Sequence, residues 1–451
     1  MTSHRRLCIA PRGHAAGRAA SLPCSGMASY TSPLAKALAP GLLERFDRYV
    51  RVETQSTRDR TQSPSTPGQL ELAALLAHEL GEIGLADAAV DEHGYVTATL
   101  PAGGGGDAGT VVGLVAHVDT SPDAPGAGVV PIVHRDYDGT PISLPRNGTM
   151  LDPAIEPHLA SRAGHDIVTA SGDTLLGADD KAGVAEIMTA VAHLHAHPEL
   201  PRPTIRVCFT PDEEIGEGAT LFDIEAFGAR CAYTLDGSSL GEIQDETFSA
   251  LEATITVTGV DVHPGWATGI LVNAARVAAR IVAALPQDRL TPETTSGREG
   301  FIHVFELTGD ASSARIRAIL RDFDDDLLAG HADLLRTTAQ AIVEATPGAA
   351  LEIDIVEQYP NMRAHLEPFP EVVEHAVAAL RAEGLEPLRE PIRGGTDGSR
   401  LSAMGLPTPN IFTGGHAYHS VREWASLQDM AAAAAVIVRL AEQWAAAPPD
   451  A

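Results

Sequence analysis

The sequence predicts a mixed, mainly parallel α/β sheet flanked by helices, with an α+β domain of ferredoxin-like order inserted into it. Three observations carry this expectation. Four apolar runs, at residues 110–116, 204–210, 231–235 and 409–413, are dense in β-branched and aromatic residues and alternate with helical patterns, as strands covered on both faces do. Each run is closely followed by acids or imidazoles: His117 and Asp119, then Asp212, Glu213 and Glu214, then Asp236, then His416 and His419. Between the third and fourth runs, residues 248–360 read strand, helix, strand, strand, helix, strand, the order of a split βαβ sandwich.

Taken in order, the chain opens with a segment unlike the rest. Residues 1–33 carry Arg5, Arg6, Arg12 and Arg18 but no acid, and read as a disordered extension ahead of a natural start at Met27. Helices are expected over 40–52 and over 66–85, the second with a stripe of Leu72, Leu76, Leu80 and Ile83. A strand over 94–100 follows, and the glycines at 103–106 read as a hairpin loop. The stretch from Thr174 to Gly183 is a tight loop opening onto a helix through Val184, Ile187, Val191 and Leu194. The inserted block is expected as strand 250–257, helix 273–285, strands 301–307 and 314–323, helix 327–345 and strand 350–356. A helix over 372–383 returns the chain to the main domain, and a helix over 427–446 closes it. The domains are thus expected to be 34–247 plus 361–449 for the main unit and 248–360 for the insert, which reads as a lid.

Composition narrows the function. The 451 residues suffice for two or three domains. A formal charge of −28 repels nucleic acid and anionic lipid, which excludes both as main partners. The most apolar stretch, 431–444, carries Arg439 and Glu442 and does not read as a membrane span. Cys208 and Cys231 lie in apolar runs, with no spacing that suggests a zinc ribbon or a disulfide scaffold, as in a cytoplasmic protein. Lys36 and Lys181 are the only lysines, and Lys181 lies in the central loop.

Four of the acids and imidazoles beyond the strand ends, with Asp179 from the central loop, form one set: His117, Asp179, Glu214, Asp236 and His419. In α/β sheets, sites form beyond the carboxyl ends of the strands. These are nitrogen and oxygen donors without a thiolate, which suits zinc, manganese or cobalt in a catalytic site. Two cations need a bridging carboxylate. Asp179 is the natural bridge, though spacing leaves Asp180 open. Asp119 is placed to orient the His117 imidazole. Of the adjacent Glu213 and Glu214, one is suited to ligation and its neighbour to taking a proton. His416 rivals His419. His193, His195 and His197 read as residues favouring a helix terminus.

The stretches AHVDTSPDAPG, TLLGADDKAGVAE, FTPDEEIGEGA, YTLDG, VHPGWATGILVNAA, IRGGTDGSRLSAMGLPTPNIFTGG and AYHS resemble the tripeptide aminopeptidases of the M20 family of di-zinc metallopeptidases. The resemblance runs from about residue 34 to 446; the tail before Met27 departs from it. It implies a zinc-peptidase-like catalytic domain with two Zn2+ per subunit, for which Mn2+ or Co2+ substitute. His117, Asp179 and Asp236 would hold one cation, and Asp179, Glu214 and His419 the other. Asp119 would stand behind His117, and Glu213 would be the general base for water held by the cations. The implied reaction is hydrolysis of the N-terminal peptide bond of tripeptides in the cytoplasm. His263 is implied as a lid residue near the scissile carbonyl, and the resemblance admits a homodimer. Arg321, Asn361 and Arg363 are candidates for gripping the peptide carboxylate. Cleavage of dipeptides or N-acyl amino acids is the neighbouring reading; a catalytically silent peptide-binding protein would lack one of the ligands or Glu213, and none is missing.

Overall fold

The computed structural model describes residues 30–446. The proposed start at Met27 and most of the expected extension lie outside these residues. The end of that extension belongs to the fold: Ser32 Oγ accepts the Ala35 N–H at 3.0 Å and caps a helix spanning Pro33–Val50. The helix begins well before the expected residue 40, because Pro40 lies inside it without ending it. The second helix, Pro67–Ile83, ends at Gly84, whose φ of 116° is a left-handed conformation that suits glycine.

The main sheet has eight strands. Thr204–Thr210, Val111–His117, Cys231–Gly237 and Asn410–Phe412 are neighbours in that order and run parallel, so their carboxyl ends share one edge. Val96–Leu100 pairs antiparallel with Thr204–Thr210 and not with Val111–His117. The loop at 103–106 therefore does not close a hairpin, contrary to the sequence expectation. It steps over a strand contributed from a hundred residues downstream, and Gly103 exchanges backbone hydrogen bonds with Arg202 there.

The helix Ala178–Ala196 is buried on nearly every face. It packs against Pro33–Val50 and Leu427–Ala446 and against the strands Val111–His117 and Cys231–Gly237, which is why it lacks the polar stripe of a surface helix. Its approach to the sheet demands glycine at 183, where a Cβ would stand 2.0 Å from the Leu235 carbonyl oxygen. Leu427–Ala446 is buried without a break from Leu427 to Val438. No helix among the described residues is long and apolar enough to cross a membrane.

Residues 249–359 build a separate four-stranded sheet in the order Phe301–Gly309, Ser313–Asp322, Ser249–Thr258, Ala350–Tyr359, every pair antiparallel. Helices Ala274–Ala284 and Asp325–Glu344 cover it, and Ile255, Val277, Ile281, Ile316 and Leu335 form a core of its own. The side chains of Asn273 and Asp324 cap the two helices. This is the ferredoxin-like order read from the sequence.

Candidate metal centre

At the carboxyl edge of the parallel strands, five donors from distant parts of the chain converge. His117 ends its strand with Nε2 3.0 Å from Asp179 Oδ1 and 3.7 Å from Asp236 Oδ1. His419 Nε2 lies 3.2 Å from the other Asp179 oxygen and 2.9 Å from Glu214 Oε2. His117, Asp179 and Asp236 form one group, and Asp179, Glu214 and His419 a second; within each, one ligand atom per residue lies within 4.8 Å of the others. Asp179 is common to both, and its two oxygens face different imidazoles.

Asp180 does not join them. Its oxygens accept the His117 and Gly183 backbone N–H groups at 3.1 and 3.2 Å, so it fastens the central helix to the strand beside it. His416 is also drawn elsewhere: its ring stacks between His158 and Trp424, and Nδ1 bonds Ser238 Oγ at 3.0 Å. His193 and His197 pack on each other, their rings tilted by 40°, at the far end of the central helix.

The acids around the cluster divide the work of holding it. Asp119 is fully buried and lies 3.3 Å from His117 Nδ1. Its carboxylate also accepts the backbone N–H groups of Glu213 and Glu214 at 3.0 and 3.2 Å. The turn that presents these two acids starts at Asp212, whose φ of 60° is unusual for a residue with a side chain. Ser65 and Gln69 hold it there: three hydrogen bonds of 2.5–2.7 Å reach the Asp212 carboxylate, and Gln69 Oε1 accepts its N–H. Glu213 then points inward, with Oε2 4.0 Å from His117 Nε2. Sequence reading missed Asp212, Gln69 and Glu423 as supports. Asp212 alone left a signal, as the acid preceding the Glu213–Glu214 pair.

Five carboxylates, those of Asp119, Asp179, Glu213, Glu214 and Asp236, share this pocket with two imidazoles, and among the described residues no Arg or Lys pairs with any of them. Burial first, and then neighbouring acids, push Glu213 well above the ordinary carboxylate range, Glu214 up to about 8 and Asp236 up to about 6, against the lowering effect of the imidazoles. Burial disfavours the charged imidazole of His117, but hydrogen bonds to Asp119, Asp179 and Asp236 outweigh it and hold the pKa well above the ordinary value. The same contest in His419, won by Asp179 and Glu214, takes it to about 11. In Asp179 burial is outweighed by both imidazoles, and its pKa falls. Such a cluster has protons to surrender and an excess of negative charge. Glu214 Oε1 is buried without a hydrogen-bond partner among the described residues. This donor set fits two divalent cations.

The remaining predicted residues lie in or just beyond the second sheet: Arg321 on the strand Ser313–Asp322, His263 in the loop after Ser249–Thr258, and Asn361 and Arg363 just after Ala350–Tyr359. His263 is exposed, takes the Gly265 N–H on Nδ1 at 3.1 Å and packs on the Trp266 ring. Arg321 is held by the Leu251 and Leu320 carbonyls and lies 5.2 Å from the Tyr359 ring centre, as does Arg400. Asn361 bonds the Thr247 and Arg363 N–H groups and the Phe323 carbonyl. Arg363 pairs at the surface with Glu367 and Glu246. These contacts are local, and none reaches the five donors.

Comparison with known proteins places this geometry in a family. The model of "Peptidase family M20/M25/M40" matches residues 174–443. The chain is 48% identical to Peptidase T of Bacillus licheniformis over 400 residues, covering 88% of this chain and 97% of that one. It is 46% identical to Peptidase T of Bacillus subtilis over 406 residues, covering 90% and 98%. Among solved structures, it resembles aminopeptidase PepT from Bacillus cereus with a TM-score of 0.69 at 22% identity, over 90% of this chain and 99% of that one. It also resembles a dinuclear metal-binding M20 peptidase from Bacillus subtilis with a TM-score of 0.61 at 15% identity, over 90% and 98%. The chain belongs to the peptidase family M20/M25/M40.

Proposed function

We propose that this protein is a metallo-aminopeptidase that hydrolyses the N-terminal peptide bond of tripeptides with two zinc ions. The observation that carries the proposal is the shared carboxylate: Asp179 sets one oxygen against His117 and the other against His419, within two overlapping donor groups. His117, Asp179 and Asp236 would hold one ion, and Asp179, Glu214 and His419 the other. When bound, such ions acidify a water molecule and polarise a carbonyl.

The protein's own groups do the rest. Glu213 reaches into the pocket without belonging to either donor group. It takes the proton of the attacking water and returns it to the leaving amine. Asp119 keeps the His117 imidazole in one tautomer and orientation. The lid sheet closes over the peptide, with His263 brought to the scissile carbonyl and Arg321, Asn361 or Arg363 supplying the grip on the far carboxylate. The relatives named Peptidase T support tripeptides as substrate. Buried free thiols at Cys208 and Cys231 suit a reducing cytoplasm.

The test is an assay of tripeptides, dipeptides and N-acetylated peptides side by side, before and after chelation and zinc readdition. Tripeptide cleavage lost on chelation and regained with zinc is the expected result. Indifference to chelators would reject the metal reading, and preference for dipeptides or N-acyl substrates would reject the substrate reading.

A further inference from the structure

Glu423 stands outside both donor groups, yet it holds the loop from which Asp179 projects. It is 1% exposed. Its Oε2 accepts the N–H groups of Leu176 and Gly177 at 2.7 and 2.8 Å, and its Oε1 accepts the N–H of Asp179 itself at 3.0 Å. These are N–H groups that the central helix cannot satisfy. The helix has no side-chain cap of its own at Gly177, and the backbone at Asp179 and Asp180 is not helical. A carboxylate is the strongest acceptor available to such a cluster of N–H groups. It comes from more than 240 residues downstream in the chain.

The origin of Glu423 matters as much as its contacts. It lies four residues after His419, in the loop between the short strands Gly415–His416 and Trp424–Ser426. Trp424–Ser426 is paired with Ile167–Thr169, and the Glu423 N–H bonds Ser420 O, so the residue is anchored on its own side. From the opposite side, Lys181 fills the space beneath Gly177 and donates Nζ to the Val52 carbonyl at 2.7 Å. The two donor groups differ in how they are built. His117 and Asp236 sit on strands paired directly to each other. His419 sits on a loop at a φ of 59° and is held over Asp179 by no sheet pairing of its own.

We propose that Glu423 is a positioning residue that locks the Asp179 loop to the His419 loop and thereby sets the geometry of the second cation site, Asp179–Glu214–His419. The inference rests on the reading of the cluster as a two-cation site. Without the carboxylate, three buried N–H groups lose their acceptor and the two loops lose their tie. The loss falls more heavily on the second site, where both Asp179 and His419 sit on the tied loops, than on the first, where His117 and Asp236 are backed by the sheet and only Asp179 depends on the tie.

The experiment is a Zn2+ titration of the chelator-stripped full-length protein, with tripeptide kinetics alongside. Wild type should take up two ions. Glu423→Gln should keep its fold by circular dichroism and bind one ion as before. The second ion should bind about 10–100-fold more weakly, with kcat reduced and restored by excess Zn2+ while KM changes little. Glu423→Asp, which keeps the charge but shortens the reach, should show a smaller loss of the same kind. Two ions bound by Glu423→Gln with wild-type affinities would overturn the proposal. So would failure of both variants to fold, which would make Glu423 a residue of folding and not of site geometry. Wild type binding no second ion would instead sink the two-cation reading, so the two failures are distinguishable.

Discussion

Asp119 Oδ1 accepts the backbone N–H of Glu213 at 3.0 Å and lies 3.3 Å from His117 Nδ1, so one acid stands beside the imidazole and also fixes the backbone of Glu213. One buried carboxylate thus faces an imidazole on one side, where His117 Nδ1 also lies 3.1 Å from the Asp119 backbone carbonyl, and holds the Glu213–Glu214 turn on the other. Asp119→Asn replaces one acceptor oxygen with a donor and cannot serve both sides. Tripeptide kcat/KM should fall about 10–100-fold, with weaker zinc binding measured in parallel. Wild-type values for both would remove Asp119 from this role.

Glu213→Gln keeps the shape of the side chain and removes its basicity. Because Glu213 lies outside both donor groups, zinc content measured by elemental analysis should stay at the wild-type level. Turnover should drop about 100- to 10,000-fold. Loss of zinc in this variant would show that Glu213 is a ligand and not the base.

Cation affinity should depend on pH in one direction. Hydrogen bonds raise His419 to about 11, and burial raises Glu214 to about 8. Both therefore hold protons at neutral pH, and a binding cation must displace them. Affinity should rise with pH and weaken on acidification by about tenfold per unit for each proton displaced. Competition titrations against a chelator of known affinity at several pH values check this. A flat profile would contradict the donor assignment.

Glu186 offers a stability test away from the site. It is fully buried in the central helix, and neither carboxylate oxygen has a protein hydrogen-bond partner among the described residues. Burial raises its pKa well above the ordinary value. A carboxyl raised in the folded state supports folding fully only below its unfolded pKa, and that support is lost as pH rises through the folded value. At neutral pH it is a liability. Glu186→Met should raise stability by about 1–3 kcal/mol, read as a higher Tm near neutrality, with a smaller gain in acid. A lower Tm at neutral pH would show that the acid has an unseen favourable role.

Much of the molecule was legible in the sequence for local reasons. Apolar β-branched runs must be buried strands, and the order of elements over residues 249–359 reproduces the observed topology of the second sheet. The donors follow the runs because the site lies at the strands' carboxyl edge. The limits were equally physical. Nothing local could tell that Val96–Leu100 pairs with a strand a hundred residues away, since strand partners are chosen by the whole sheet. Cap signals were also overridden: Pro40 did not mark a helix start, because Ser32 and the buried face formed by Leu38, Leu42 and Phe46 had already committed the helix.

By itself, then, the sequence determined the short list of candidate donors, because metal-ligating side chains are few and their types are restricted. Tertiary structure alone decided how they are arranged. Asp179 and Asp180 are the same residue type at adjacent positions, and only packing against the sheet sends one carboxylate into the cluster and the other onto backbone N–H groups. His416 and His419 are three residues apart, and only the Trp424–His158 stack removes the first from contention. Neighbouring side chains of like chemistry are indistinguishable until the fold assigns each a direction, and direction is a property of contacts between distant parts of the chain.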